Sequence, residues 1–148
     1  MKAGTVIKWN NFPHPRFGKE IKTRWFICLG NSGILTEPVF IYLCTTTTNL
    51  DDFKQGGKKE RHTTCQFKAN ITPFEEDCVL DIDEGPYPIP KSQITDSIDI
   101  EIKGELDEQN MRMIYNHVVR SSRFSKKEKL DIHRSLNDAG ITGLKMPK

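Results

Sequence analysis

The chain has 148 residues, 36% hydrophobic and 28% charged, with a formal net charge of +2. That suffices for one domain with a real core, and the balance is that of a soluble, rather polar globule, without the bulk charge of a dedicated polyanion binder. No apolar segment approaches the length of a membrane span and the N-terminus lacks the apolar core of a signal peptide, so cytoplasmic residence is expected by default.

Residues 4–9, Gly4-Thr5-Val6-Ile7-Lys8-Trp9, read as a first strand. Residues 10–23 form a long loop with Pro13, Pro15 and Gly18. Lys2, Lys8, Arg16, Lys19, Lys22 and Arg24 stand in this early region against a single acid, Glu20. Residues 24–29 and 39–44 are predicted strands two and three, separated by the turn signal Gly30-Asn31-Ser32-Gly33 and by Pro38. The third strand is followed abruptly by four threonines, residues 45–48. Residues 49–53 read as one helical turn with Asn49 as N-cap. Residues 54–61 are an exposed loop in which Lys54, Lys58, Lys59 and Arg61 surround Gly56-Gly57. If the fold brings the two basic loops together, one side of the molecule is basic, because the acids gather in residues 75–84 and 96–108.

Cys65, Phe67, Ala69 and Ile71 alternate with polar residues, the period of a half-buried strand that Pro73 ends. Residues 78–82 are a further strand. The three prolines of residues 85–90 lack backbone donors, which predicts a segment outside the sheet. A short helical turn is expected at residues 91–95, and Ile98, Ile100 and Ile102 alternate with Asp99, Glu101 and Lys103 as a one-faced strand. Helices come only after this. Residues 107–120 place Met111, Ile114, Tyr115 and Val118 at helical spacing. Ser125 with Glu128 makes a capping box for a last helix, Gly140 fits its stop, and its apolar stripe reads as Leu130, His133 and Leu136. Short strands and then helices predict an α+β, mainly β fold: a small, strongly bent β-barrel with C-terminal helices. Residues 1–121 are expected as a barrel with its packing helix, and residues 122–148 as a helical extension that can be removed. The four cysteines sit in apolar, strand-like settings without metal-ligand spacing, which predicts buried reduced thiols.

One corner carries chemistry. In an antiparallel pair the start of one strand lies beside the end of the next, so Arg24 and the threonine run meet. A planar guanidinium fork beside hydroxyls suits a phosphate.

The order of these motifs resembles the MazF/PemK toxin family. Gly4-Thr5-Val6-Ile7 is similar to its opening strand, Thr23-Arg24-Trp25-Phe26-Ile27 to its Arg-Pro strand, and residues 39–46 to its third strand, which ends in an active-site Thr or Ser. Phe74-Glu75-Glu76-Asp77-Cys78-Val79-Leu80 and Tyr87-Pro88-Ile89-Pro90-Lys91 look like its later strand and turn, and residues 106–119 like its C-terminal helix. The resemblance implies an SH3-like barrel, usually a homodimer, that cuts single-stranded RNA without metal or cofactor and pairs with an antitoxin protein. The catalytic roles then fall on Arg24 and on Thr45 or Thr46, and an acidic position on Asp83 or Glu84. Trp25 stands where the family has proline, Tyr87 replaces a second arginine, and Pro90 replaces an aspartate.

Metal-free cleavage needs a base for the 2′-hydroxyl, a donor group for the phosphorane and an acid for the leaving 5′-oxygen. Arg24 supplies the charge, and Glu20 and His14 are the candidate bases. Arg16, Phe17, Lys19, Lys22, Lys58, Lys59, Arg61, Asp83, Glu84 and Tyr87 are the expected RNA contacts beside His14. Phe12, Phe17 and Trp25 are candidates for stacking on bases, with a core role preferred for Trp25. Asp81 and Asp83, two apart on a strand, and Glu84, with Glu101 on a following strand, make a weaker magnesium-site alternative. The runner-up function is a non-catalytic SH3-like module that binds nucleic acid or protein.

Overall fold

The computed structural model describes residues 1–14, 21–35 and 37–148. Seven strands form one antiparallel sheet: β1 (Thr5–Trp9), β2 (Arg24–Asn31), β3 (Phe40–Thr47), β4 (Thr64–Phe67), β5 (Cys78–Asp81), β6 (Tyr87–Pro90) and β7 (Ile100–Glu105). The helices are α1 (Lys91–Thr95), α2 (Glu108–Arg120) and α3 (Lys126–Asp138). The α+β, mainly β architecture is therefore as the sequence predicts. The closed barrel is not. The strand order is β4-β5-β3-β2-β1-β7, and no pairing joins the β4 and β7 ends among the described residues. The reason lies in β3, which gives its first half to β6 (Phe40↔Pro90 to Leu43↔Tyr87) and its last residues to β5 (Thr46↔Leu80, Thr47↔Val79). The sheet forks there instead of closing.

Alternation along the strands buries both faces. Val6, Ile27, Leu29, Tyr42, Cys44 and Leu80 face the helices and join Met111, Ile114, Tyr115 and Val118 of α2. Ile7, Trp9, Phe26, Cys28, Ile41 and Leu43 point the other way and enclose Phe12, Tyr87 and Ile89. There Phe12 is ringed by Trp9, Phe26 and Tyr87 at centroid distances of 4.9, 4.8 and 5.5 Å, so it is core and cannot stack on a base. The four cysteines are buried free thiols, as expected.

Several local expectations change. The proline-rich segment does join the sheet: among the described residues β6 pairs only with β3, an edge position where Tyr87 and Ile89 carry the donors and exposed Pro88 needs none. The strand expected through Ile71 ends at Phe67, and the chain turns through a 3₁₀ segment, Ala69–Ile71, that leaves Ile71 79% exposed. The threonines do not follow β3; three of the four belong to it.

The C-terminal segment is integrated rather than appended. Phe124, Ile132, Leu136 and Ile141 belong to the larger core cluster. The capping box of Ser125 and Glu128 starts α3 as expected. Its buried face, however, is Asp131, Ile132, Ser135 and Leu136, whereas Leu130 is exposed. The polar members hid this face from a search for apolar spacing. Asp131 accepts hydrogen bonds from Tyr42 Oη (2.7 Å), Lys127 Nζ (2.8 Å) and Arg134 (3.0 Å). Ser135 Oγ accepts from Asn31 N at 3.0 Å. A Cβ on Gly30, where φ is +148°, would stand 2.5 Å from the Ser135 Cβ, so α3 lies directly on the backbone of β2.

Two outcomes are expected. Four buried side chains at about 1.5–3 kcal/mol each amount to most of the net stability of a small domain. Deleting residues 124–148 should therefore abolish the cooperative thermal transition; a truncated protein that melts near the temperature of the full chain would show that α3 is dispensable. Burial pulls the Asp131 carboxyl up, but the bonds from Lys127, Tyr42 and Arg134 outweigh it and hold the group below the usual carboxylate range. A carboxyl lowered on folding stabilises the protein above its unfolded pKa, and that stability is lost as pH falls through the folded value. Asp131→Asn should lower the melting temperature at neutral pH and flatten its fall in acid, as measured by melting curves across the acid range.

Candidate active site

The register of β2 and β3 builds the corner. Trp25 pairs with Thr46 and Phe26 with Thr45. Directly paired residues share a face, so Thr46 lies on the side of Trp25, and Thr45 on the side of Phe26 and, by alternation, of Arg24 and Thr47. Thr45 and Thr46 are 4% and 9% exposed, and their hydroxyls lie 3.4 and 3.5 Å from the Trp25 carbonyl, too long for strong bonds. Thr47 is half-buried, and its Oγ1 accepts from Asn49 N at 3.1 Å, which leaves its proton to donate. Thr47, a member of the threonine run to which the sequence reading gave no catalytic role, is thus the more accessible hydroxyl on the face of Arg24.

Arg24 and all four threonines line a cleft of about 490 Å³. Lys22, Lys58 and Lys59 join Arg24 in its wall, against the carboxylates of Asp52, Glu75, Glu76, Asp81 and Glu84. Among the described residues the cleft is therefore balanced in charge rather than basic. Much of that charge is already paired. Lys58 meets Asp52 at 3.7 Å, Lys59 meets Asp81 at 3.7 Å, and Glu75 is held by Lys103 at 3.2 Å and Lys8 at 3.8 Å. Those same two lysines lie 5.8 Å from the Trp25 ring, and Phe74 packs against it, so Trp25 offers no bare face for a base. Among the described residues neither Lys22 nor Arg24 joins one of these ion pairs, although Arg24 acts electrostatically on Glu84.

Asp81 is the anchor of the wall opposite. It ends β5, is 2% exposed, and accepts from His62 Nδ1 at 2.9 Å and from Asp83 N at 3.1 Å. The chain then turns through a 3₁₀ segment, Ile82–Glu84, and Gly85 closes it with φ +82°. This turn separates Asp81 from Asp83, whose carboxylate accepts from Thr63 N at 2.8 Å. The two aspartates therefore do not share a strand face, and Glu101 belongs to β7 at the far end of the sheet. No group of three or more His, Cys, Asp or Glu suited to a metal ion occurs among the described residues. The same turn brings Glu84 into the cleft, where its Oε1 accepts from Tyr87 Oη at 3.1 Å. Burial raises the Glu84 carboxyl above its ordinary range; Tyr87, Lys59 and Arg24 pull it down, and Asp81 pushes it up. Cys78 also lines the cleft, but burial pushes its thiol up to about 11 even with a hydrogen bond from Thr46, so it is no thiolate nucleophile at neutral pH.

Of the residues expected from the sequence, the cleft collects Lys22, Arg24, Thr45, Thr46, Lys58, Lys59 and Glu84. Arg61, Asp83 and Tyr87 are not in its lining. His14 is not either; its Nε2 lies 2.6 Å from Gln93 Oε1 of α1. Arg16, Phe17, Lys19 and Glu20 lie outside the described residues. The sequence reading missed Asp52, Glu76 and His62, left Thr47 as an unassigned member of the threonine run, and considered Asp81 only as a metal ligand. A signal for His62 was present in the charged loop before β4, but nothing local tells which strand it meets.

No family model, no curated protein and no solved structure matches this chain.

Among the described cations of the cleft, Lys22 and Arg24 are the two outside an ion pair, so a single-stranded RNA should bind with a shallow salt dependence, a slope of log K of about −1.4 for two phosphates. Lys22→Glu should weaken binding and reduce the slope by about 0.7, while Arg61→Glu should do neither. Fluorescence anisotropy of a labelled, mixed-sequence 2′-O-methyl RNA over a salt series measures both. A steep slope that Lys22→Glu leaves intact would place the polyanion elsewhere.

Proposed function

We propose that this chain is a metal-independent endoribonuclease of the MazF/PemK type, an SH3-like fold open at its β4 and β7 ends. Its substrate class is single-stranded RNA, cut to a 2′,3′-cyclic phosphate and a 5′-hydroxyl. The observation that carries the reading is the placement of Arg24 on one face with the Thr45 and Thr47 hydroxyls, at the mouth of a cleft large enough for a nucleotide. A phosphorane needs charge and donors that strengthen as it forms. A guanidinium keeps its charge at every working pH and presents two parallel N–H groups to two phosphate oxygens. The Thr45 and Thr47 hydroxyls add donors on the face of Arg24 that no strong internal bond consumes among the described residues. Arg24 thus supplies the positive charge that a divalent ion supplies in other nucleases.

A balanced cleft also speaks against the runner-up. A module that only binds phosphates loses affinity through each carboxylate in its groove. A carboxylate kept half-buried beside the guanidinium serves acid–base chemistry instead. One observation favours the binding module: Tyr87 stands where the resembled family has a second arginine, and its hydroxyl is turned to Glu84 rather than to a substrate. On the enzyme reading the further partners are an antitoxin protein and a second copy of the chain, in the cytoplasm.

The purified protein should cut mixed-sequence single-stranded RNA in the presence of EDTA and leave cyclic phosphate ends. Arg24→Ala should lower the rate by about 10²–10³-fold, the range for loss of one transition-state donor. Cleavage that appears only on adding Mg²⁺, or that survives Arg24→Ala unchanged, would reject this mechanism. Binding without cleavage under all conditions would favour the module.

A further inference from the structure

One group of charges at the edge of the cleft stands apart from the Arg24–threonine corner, and the register of the sheet builds it. Thr46 pairs with Trp25, Trp25 with Lys8, and Lys8 with Glu101. Directly paired residues share a face, so these four make one row across β3, β2, β1 and β7. Thr46 and Trp25 line the cleft, and Lys8 lies one strand beyond them, about 5 Å further on. Lys103 joins the row from β7, two residues after Glu101, as the extra residue of the bulge opposite Val6 and Ile7.

The two ammonium groups converge. Lys8 Nζ and Lys103 Nζ each lie 5.8 Å from the centre of the Trp25 ring. Both meet one carboxylate oxygen, Glu75 Oε1, at 3.8 and 3.2 Å. Lys103 also lies 3.9 Å from Glu101 Oε1. Like charges drawn to one point repel unless an anion stands between them. Glu75 is that anion, and its neighbours in the chain hold it in place. Phe74 is 4% exposed and packs on Trp25 and Phe67 at centroid distances of 5.8 and 5.5 Å. Pro73 lies against the backbone of β7, 3.0 Å from where a Cβ on Gly104 would stand. The Glu75 side chain itself is 55% exposed and lines the cleft. Ion pairs so open to water contribute little to folding. What they fix is the place of an anionic oxygen between two cations, which is also what a phosphate oxygen needs.

We infer that Lys8 and Lys103 form a further phosphate subsite beside Trp25, closed by the Glu75 carboxylate, and that Glu75 thereby limits how many phosphates of a single-stranded RNA the cleft holds; this rests on the RNA reading given above. The ligand is a phosphodiester of the same strand whose scissile phosphate lies at Arg24. With Glu75 in place the two lysines are neutralised within the protein by Glu75 and Glu101, and an RNA gains nothing by reaching them. Without the Glu75 charge, Glu101 balances one lysine and the pair keeps one positive charge for the strand. The exchange is of one anion for another, and no covalent bond changes.

The test is anisotropy of the labelled 2′-O-methyl RNA over a salt series, with wild type, Glu75→Gln, Glu76→Gln and the triple variant Glu75→Gln, Lys8→Gln, Lys103→Gln. Glu75→Gln should bind more tightly at low salt and steepen the slope of log K by about 0.7, the contribution of one further single-strand phosphate. Its melting temperature should stay near that of wild type, which separates the change in binding from a change in folding. Glu76 also lines the cleft but joins neither of these ion pairs. Glu76→Gln changes the charge of the cleft equally and frees no lysine, so its slope should remain that of wild type. The triple variant should return to the wild-type slope. A Glu75→Gln slope equal to that of wild type, a steepening that Glu76→Gln matches, or a triple variant as steep as Glu75→Gln would each overturn the subsite and leave RNA binding by the cleft standing. Wild type that binds no RNA at any salt would remove the RNA reading, and this subsite with it.

Discussion

Everything functional in this molecule depends on the register between β2 and β3. Trp25 opposite Thr46 and Phe26 opposite Thr45 are what put Arg24 on the same face as the Thr45 and Thr47 hydroxyls. A slip of one residue would exchange the faces, burying the arginine's neighbours against the helices and exposing the core. The register is held from both ends. Apolar side chains of Phe26, Ile27, Cys28 and Leu29 are fully buried on alternating sides. At the far end the pairing shifts by one residue between Cys28 and Gly30, a bulge that bends β2. The bend places Gly30 under α3, where Ser135 meets it without room for a Cβ and Arg134 bonds the Asn31 carbonyl at 2.6 Å. The C-terminal helix thus packs on the other end of the strand that carries Arg24.

The cleft itself combines requirements that oppose one another. Phosphate binding favours net positive charge, and proton transfer favours a desolvated carboxylate. Among the described residues most of the cleft's charge is paired internally. Asp81 absorbs Lys59 and His62, and Asp52 absorbs Lys58. Among the described residues Arg24 and Lys22 stand outside these ion pairs. The buried Asp81 also ties the loop before β4 to β5, so the ion pairs that balance the cleft shape its wall as well.

The sequence made the strands, the helices and the Arg24–threonine corner legible, because each rests on local periodicity or on the geometry of adjacent antiparallel strands. Capping residues Ser125 and Glu128 marked the start of α3 for the same local reason. What it did not reveal depends on contacts distant in the chain. The fork of β3 between β5 and β6 decides that the sheet stays open, and no pattern in residues 40–47 announces two partners. The buried face of α3 includes Asp131 and Ser135, which read as surface until Tyr42 and Asn31 are placed beside them. The prolines of β6 suggested a break, whereas an edge position accommodates them. Glu84 was legible only as one of two acids near a turn. Its separation from Asp83 required the 3₁₀ geometry that sends one to Thr63 and the other into the cleft.

The central claim is that Arg24 and the threonines of β3 hold a phosphodiester of single-stranded RNA. The most direct measurement is an NMR titration with a mixed-sequence 2′-O-methyl RNA, which binds but cannot be cut, following the Arg24 guanidinium Nε and the amides of Thr45 to Thr48. The account requires that these signals shift together and saturate at one concentration, with Arg24→Ala abolishing the shifts of the threonines. Saturating RNA that leaves Arg24 and the threonines unmoved, or that shifts residues on β7 and α2 instead, would contradict it.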